Sequence, residues 1–405
     1  MKVYIGIDWS KDKHDIAFMN GTGEVKVYQT IAASPAGLEN FERQRQRVGV
    51  AASQCVVGIE THHNLFVDYL VGHGYEQLYI LPPIMVKDAR KRFAASGART
   101  DLSDSRLIAD ILRTDQGRLH RYVPDSLLTQ QIKGTFSLQH FLTRNIVQLT
   151  NRLRCVLWRY YPNATRIFSS LDHLISLEFI LSYPTPQMAQ LMTFAEFRDF
   201  AKQHHHTQPS KLPACFARLQ QPQTPPQPAV IATYSPEAVR LAELCLPMVK
   251  SRTQTEKELL DLFRKHPDHA LFASLPGLGN VLAPALLAKF GDDRQRYPTL
   301  QSVQAVAGTS PVTKASGKKR FVVFRRACDR EFRWIVQQWA RASLKKSVWA
   351  NTYFRQVFPN CRSTSHAYRC LANRWLAVAW RIWQDHNPYD EERHIRQHMM
   401  RKLPK

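Results

Sequence analysis

The chain has 405 residues, of which 44% are apolar, and 56 Lys and Arg face 33 Asp and Glu for a net charge of +23. The length exceeds one ordinary core and predicts two or three domains, while the apolar content excludes a disordered chain. A charge of this size gathers polyanions, so nucleic acid is the expected partner.

The N-terminus, "MKVYIGIDWSKDKHD", is no signal peptide, because its apolar run is short and ends in charges. No stretch reaches the ~18 uncharged apolar residues of a membrane helix. A soluble, cytoplasmic protein is expected. Seven cysteines with no CxxC spacing are read as reduced packing residues. Cys361, His366 and Cys370 come nearest to a ligand cluster and lack a fourth member.

Residues 2–31 read as three strands. "KVYIGIDW" alternates, "HDIAFMN" follows, and Asn20 to Gly23 supply a hairpin turn into "EVKVYQTIA". Ser34-Pro35 caps a helix to about Arg47. "CVVGIE" is a short strand, "NLFVDYLVGHG" a helix and "QLYILPP" a strand stopped by Pro82 and Pro83; helices then fill about 84–96 and 101–114. The order β-β-β-α-β-α-β-α suits an RNase H-like α/β fold.

From Asp125 to Tyr161, Leu128, Ile132, Leu142, Ile146, Leu149, Leu153 and Val156 recur at helical spacing, predicting a coiled-coil arm or a bundle helix. Residues 204–230 are Pro- and Gln-rich and read as a linker or mobile loop. "SPEAVRLAELCL" reopens a helix with Ser235 as cap, and a second amphipathic run through Glu256, Leu259 and Phe263 is placed to pack on the first. "LPGLGNVLAPALLAKFGD" reads as a helix-hairpin-helix-like element or a tight turn between packed helices. Trp- and Arg-rich helices follow, then a basic tail. The expected architecture is α/β plus α: an N-terminal domain at 1–124, a helical linker region at 125–268, a mainly helical domain at 269–390, and a tail at 391–405.

The chemistry gathers in the carboxylates. Asp8 ends the first strand and Glu60 the fourth, where open α/β sheets place their sites. Asp101 and Asp104 share the first turn of a later helix. Four clustered carboxylates repel one another unless a multivalent cation holds them. Oxygen-only ligands select Mg²⁺ or Mn²⁺, and two such ions can clamp a phosphodiester. Asp110 is expected to face elsewhere, and Asp12, Asp15 and His62-His63 are read as turn or surface residues.

"YIGIDWSKDKHDIA", "GIETHHN" and "ARTDLSDSRLIADIL" resemble the three acidic blocks of the DEDD transposases of bacterial insertion sequences, relatives of the Piv-type invertases. "LPGLGNVLAPALLAKFGD" with "VAGTSPVTKASGKKR" resembles that family's second domain. The resemblance implies a RuvC-like nuclease domain with metal ligands Asp8, Glu60, Asp101 and Asp104, and a DNA recombinase that moves its own element. It also implies a nucleophilic serine at Ser316, a structured noncoding bridge RNA as partner, and a homo-oligomer, dimer or tetramer. The sequence departs from the family's pattern in "AGTSP", which makes Ser310 a rival nucleophile.

On its own terms Ser316 is a serine in a basic loop. It needs activation, which metal held by the acids would supply at a composite site. Lys314, Lys318, Lys319 and Arg320 are suited to flanking phosphates. Most of the C-terminal tryptophans are expected in the core. Two other readings remain: a metal-dependent RuvC-like nuclease using water, and a non-catalytic nucleic-acid-binding protein.

Overall fold

The computed structural model of the chain describes residues 2–61, 64–90, 101–316 and 319–400; for 101–103 and 397–400 it describes the backbone alone. The chain forms two compact units, Met1–Asp125 and Ser126–Lys405.

The first unit is mixed α/β. Five strands, β1 (Val3–Trp9), β2 (Lys13–Met19), β3 (Val25–Ala32), β4 (Cys55–Ile59) and β5 (Gln77–Ile80), form one sheet in the order β3-β2-β1-β4-β5. The pairings β1–β2 and β2–β3 are antiparallel; β1–β4 and β4–β5 are parallel. Four helices cover it: α1 (Pro35–Arg47), α2 (Leu65–Gly72), α3 (Pro83–Arg90) and α4 (Asp101–Asp115). Ser34 caps α1 and Asn64 caps α2, each through a side chain accepting a backbone N–H. Pro83 does not merely stop a strand: it opens α3, where a missing N–H costs nothing.

Side-chain alternation splits the core into two layers. Val3, Ile5, Ile7, Val57 and Ile59 pack with Phe41 of α1 and Phe66 of α2. Val56 and Tyr79 face the other way, against Val86 of α3 and Leu107, Ile108, Ile111 and Leu112 of α4. Tyr4, Gly6 and Asp8 share that second face.

Among the described residues, the second unit is helical apart from one hairpin. Two long helices, α5 (Leu127–Tyr160) and α10 (Pro228–Lys265), run antiparallel. Three pairs fix the direction: Thr129 with His266, Gln139 with Glu256, and Arg152 with Glu237. Between them lie α6 (Leu174–Ser182), α7 (Pro186–Gln190), α8 (Phe194–Gln203) and α9 (Leu212–Leu219). After α10 come α11 (His269–Ala273), α12 (Gly279–Phe290), α13 (Leu300–Val306), strands β6 (Val312–Ser316) and β7 (Lys319–Val323), then α14 (Arg330–Ser343), α15 (Val348–Val357), α16 (Thr364–Asp385) and α17 (Glu391–Met400).

The long pair threads two cores. Ile146, Leu153 and Val156 join Ala238, Cys245 and Val249 around the α6–α9 segment. Ile132, Phe136, Leu259 and Phe263 join a second cluster built from α11 to α16. Trp339, Trp375 and Trp383 are fully buried there, and Trp339 stacks on Trp375 at 4.9 Å.

Three expectations change. Residues 204–230 are not a structureless linker: α9 forms within them and buries Leu212, Cys215 and Leu219. Ser235 caps nothing; α10 starts earlier, after Gln227, and carries Ser235 and Pro236 inside it, with the Ser235 hydroxyl donating to the Pro184 carbonyl. The tertiary packing of α10 holds a proline that a free helix would not tolerate. Residues 391–400 form α17 rather than a basic tail, and Glu391 accepts bonds from the Ser347 hydroxyl and the Trp349 amide. The Gly-Leu-Gly stretch is a tight turn against a helix. Gly277 has φ +86, and a Cβ there would lie 2.7 Å from the Ser343 backbone in α14.

Candidate active site

Gly6 and Gly58 are register partners on neighbouring parallel strands. Both face α4. A Cβ on Gly6 would stand 1.9 Å from the Ser105 carbonyl oxygen, and one on Gly58 2.7 Å from a Leu81 methyl and 2.8 Å from a Leu112 methyl. The helix therefore lies directly on the sheet because two side chains are missing. Two residues further along each strand, on the same face, come Asp8 and Glu60. Glu60 is the residue after the last β4 pair, and both acids act on the same Arg90 guanidinium. The first turn of α4 brings Asp104 to them. The α4 backbone sets Asp101 one turn before Asp104; its side chain lies outside the described residues.

The electrostatics agree with this convergence. Burial raises the Glu60 carboxyl above its ordinary range, the charge of Asp104 raises it further, and Arg90 opposes both. Arg90, at the end of α3, grips Asp104 with both arms of its guanidinium: Nε donates to Oδ1 at 2.8 Å and Nη2 to Oδ2. The same guanidinium is stabilised by Glu60 and Asp8. Three half-buried carboxylates thus share one cation.

Sequence reasoning missed Arg90 and misread Asp15. Asp15 is no turn or surface residue: it pairs with Asp8 across β1–β2, is 5% exposed, and accepts a hydrogen bond from the Thr30 hydroxyl. Lys13 stands 3.6 Å from Asp15 and offsets its charge. The antiparallel pairing of the first two strands is the signal that could have found it. Asp12 is exposed in the β1–β2 turn, and Asp110 pairs with Arg113 instead of joining the acids. His62 and His63 lie outside the described residues.

A metal fits this donor set. Its atoms are all carboxylate oxygens, which suit hard divalent ions, and the place already holds a guanidinium among the acids.

The serine belongs to the second unit. Ser316 ends β6 opposite Lys319 in a two-stranded ribbon whose residues are exposed except for half-buried Val312. Lys314, Lys319 and Arg320 are exposed around it; Gly317 and Lys318 lie outside the described residues. The loop expected from sequence is thus a hairpin. Its foot is held by Phe324, over which Arg333 and Arg369 lie at 4.6 and 4.7 Å. Ser310 is half-buried, and the neighbouring Thr309 hydroxyl is engaged with Asn373 at 2.8 Å.

Residues 5–162 match the DEDD transposase model of the IS110 type, and residues 269–355 match the transposase model of the IS116/IS110/IS902 family. The chain is 30% identical over 404 residues to the mini-circle protein of IS117 from Streptomyces coelicolor, covering 97% of this chain and 96% of the relative. The chain belongs to this transposase family. It is 24% identical over 391 residues to the 44.8 kDa protein of insertion element IS116 from Streptomyces clavuligerus, covering 95% of each. It is also 24% identical over 400 residues to the 42 kDa protein of IS900 from Mycobacterium paratuberculosis, covering 96% of this chain and 97% of the relative. The activity is that of a DNA transposase, and DEDD transposases call for a divalent metal. Among the described residues no helix is long and apolar enough to cross a membrane.

Proposed function

We propose that this transposase cuts and rejoins DNA strands through a phosphoserine intermediate. Asp8, Glu60, Asp101 and Asp104 are the metal ligands, and Ser316 is the nucleophile. The observation that carries the reading is the convergence of Asp8, Glu60 and Asp104 on one sheet face around Arg90.

Mg²⁺ or Mn²⁺, when bound, supplies charge neutralisation for the phosphodiester and acidity for an attacking hydroxyl. The chain's own residues do the rest. Arg90 holds Asp104 in place beside the other acids. The Ser316 hydroxyl gives its proton to solvent as its Oγ attacks the scissile phosphorus; the P–O bond to the leaving strand breaks, and that oxygen takes a proton from solvent to leave as a hydroxyl. A second strand's hydroxyl then attacks the phosphoserine, Oγ leaves, and the bond count is unchanged, so no energy cofactor is needed. Lys314, Lys318, Lys319 and Arg320 bind the flanking phosphates.

The strand order and mixed pairing support an RNase H-like, RuvC-like nuclease domain over about residues 1–124. Thr129, Ile132, Phe136 and Gln139 are buried at alternating spacings of three and four, which supports reading α5 and α10 as a coiled-coil arm within the 125–268 region. The turn at Gly277–Gly279 is the candidate helix-hairpin-helix-like element of the 269–390 transposase domain. The family resemblance supports a structured noncoding bridge RNA as guide, a dimer or tetramer as working form, and a cytoplasmic, nucleoid-associated location.

The test is covalent trapping. Protein purified with its RNA is mixed with Mg²⁺ and DNA carrying the element junction, then denatured. A protein–DNA adduct mapping to Ser316 and lost in Asp104→Asn is expected. Cleavage without an adduct would establish a nuclease that uses water; an adduct at Ser310 would move the nucleophile.

A further inference from the structure

Outside the acids and the hairpin, three side chains of the second unit come together that the proposed chemistry does not use. Cys361 follows a 3₁₀ turn at Phe358–Asn360, and α16 begins three residues later. His366 sits in the first turn of α16 and Cys370 one turn on, so the i, i+4 spacing points both along one helix face. Ser363 caps the helix by accepting the His366 amide and thereby folds the turn back over that face. As a result one ligand atom from each of Cys361, His366 and Cys370 lies within 4.8 Å of the other two. All three residues are half-buried, so the cluster is shielded yet open to a small ion.

We propose that Cys361, His366 and Cys370 bind one Zn²⁺ ion, with water in the fourth position. Tetrahedral zinc with Zn–S near 2.3 Å and Zn–N near 2.0 Å separates its ligand atoms by about 3.5–3.8 Å. The present spread is within about 1 Å of that. Two sulfurs and an imidazole suit zinc and not the hard ions of the carboxylate site, which makes the two centres chemically distinct. The two thiols lose their protons to solvent on binding, leaving two thiolates and a neutral imidazole around a dication. The Arg362 amide reaches His366 Nδ1 at only 3.4 Å, a long bond that is easily given up, so either ring nitrogen can serve.

The place of the cluster gives the ion a task. It ties the turn after α15 to the start of α16, and the residue before Cys370, Arg369, is one of the two guanidiniums over Phe324 at the foot of the serine hairpin. Zinc here would brace the hairpin's base without touching DNA.

The experiment is metal analysis of the full chain, purified without chelator or a metal-affinity step. About one zinc per chain is expected. The Cys361→Ser, Cys370→Ser double variant should retain only a trace, and Cys155→Ser, at an exposed cysteine, should retain all of it. In case the double variant misfolds, His366→Ala keeps both thiols and should weaken zinc binding on the order of tenfold or more. Chelated wild-type protein titrated with Co²⁺ should show thiolate charge-transfer absorption. Sub-stoichiometric zinc in wild type, a cobalt band that persists in the double variant, or a Cys361–Cys370 disulfide recovered with no metal would each overturn the assignment.

Discussion

The two loci that carry the proposed chemistry are built in opposite ways. Asp8 near the end of β1, Glu60 just after β4 and Asp104 in the first turn of α4 are half-buried, where that helix lies against two glycines of the sheet. Ser316 stands on a ribbon with almost no burial, fastened at its foot. Mutual repulsion explains the first design: carboxylates that must stay close need a rigid frame that folding energy elsewhere maintains. A nucleophile has no such conflict and can ride on an exposed element that presents it to a polymer. Changes at the acids should therefore move stability and activity together, while changes at the serine should move activity alone.

The largest effect tests that separation. Ser316→Ala should lower strand joining by on the order of 10⁴-fold or more with an unchanged melting temperature. Asp8→Asn should lower it by about 10³-fold, and should also shift the melting temperature. A melting shift in the serine variant would break the comparison.

Next come the glycines. Gly6→Ala drives a methyl into the Ser105 carbonyl, and should cost about 1–3 kcal/mol in denaturant unfolding together with metal-dependent cleavage. Gly134→Ala, exposed in α5 with nothing near its Cβ position, should gain about 0.5–1 kcal/mol.

Asp292 sharpens the contrast from within the helical unit. Burial opposes its ionisation, but the Ser126 amide at 2.6 Å, the Thr129 hydroxyl at 2.7 Å and His266 at 3.1 Å outweigh burial and hold its pKa at about 2. A depressed carboxylate contributes stability that is present above its unfolded pKa near 3.8 and is lost as pH falls through 2. The shift corresponds to about 2.5 kcal/mol, and partial exposure screens it to about 1–2 kcal/mol. Asp292→Asn should lose that amount at neutral pH and show a flatter acid limb between pH 4 and 2 in urea titrations.

The smallest effect has the reverse sign. Glu60 is raised by burial and by Asp104, so its contribution to stability is present at low pH and lost as pH rises through its folded pKa. Glu60→Gln should melt slightly higher than wild type at pH 7 without metal, show no gain below about pH 4, and lose cleavage. Mg²⁺ should stabilise wild type and leave the variant unmoved.

The elements of the first unit were legible because local signals agreed: alternation in "KVYIGIDW", the turn at Asn20–Gly23, the Ser34 cap. The carboxylates were legible through their places at strand ends. What was not legible depended on long-range packing. Asp15 looked like a turn residue until β2 was set against β1. Arg90 lies 14 residues from Asp104 and meets it only across two helices. Pro236 and the Pro/Gln-rich stretch signal breaks, yet α10 and α9 form because buried partners outweigh local propensity.

Sequence by itself determined the basic character, the order of strands and helices in the first unit, and the residue types able to hold a hard metal, since these follow from composition and periodicity. Only the tertiary structure decided which glycines seat α4 on the sheet, which cation stands among the acids, and that three residues around the start of α16 converge. Each of these depends on distances between elements far apart in the chain, which are set by how side chains fill space.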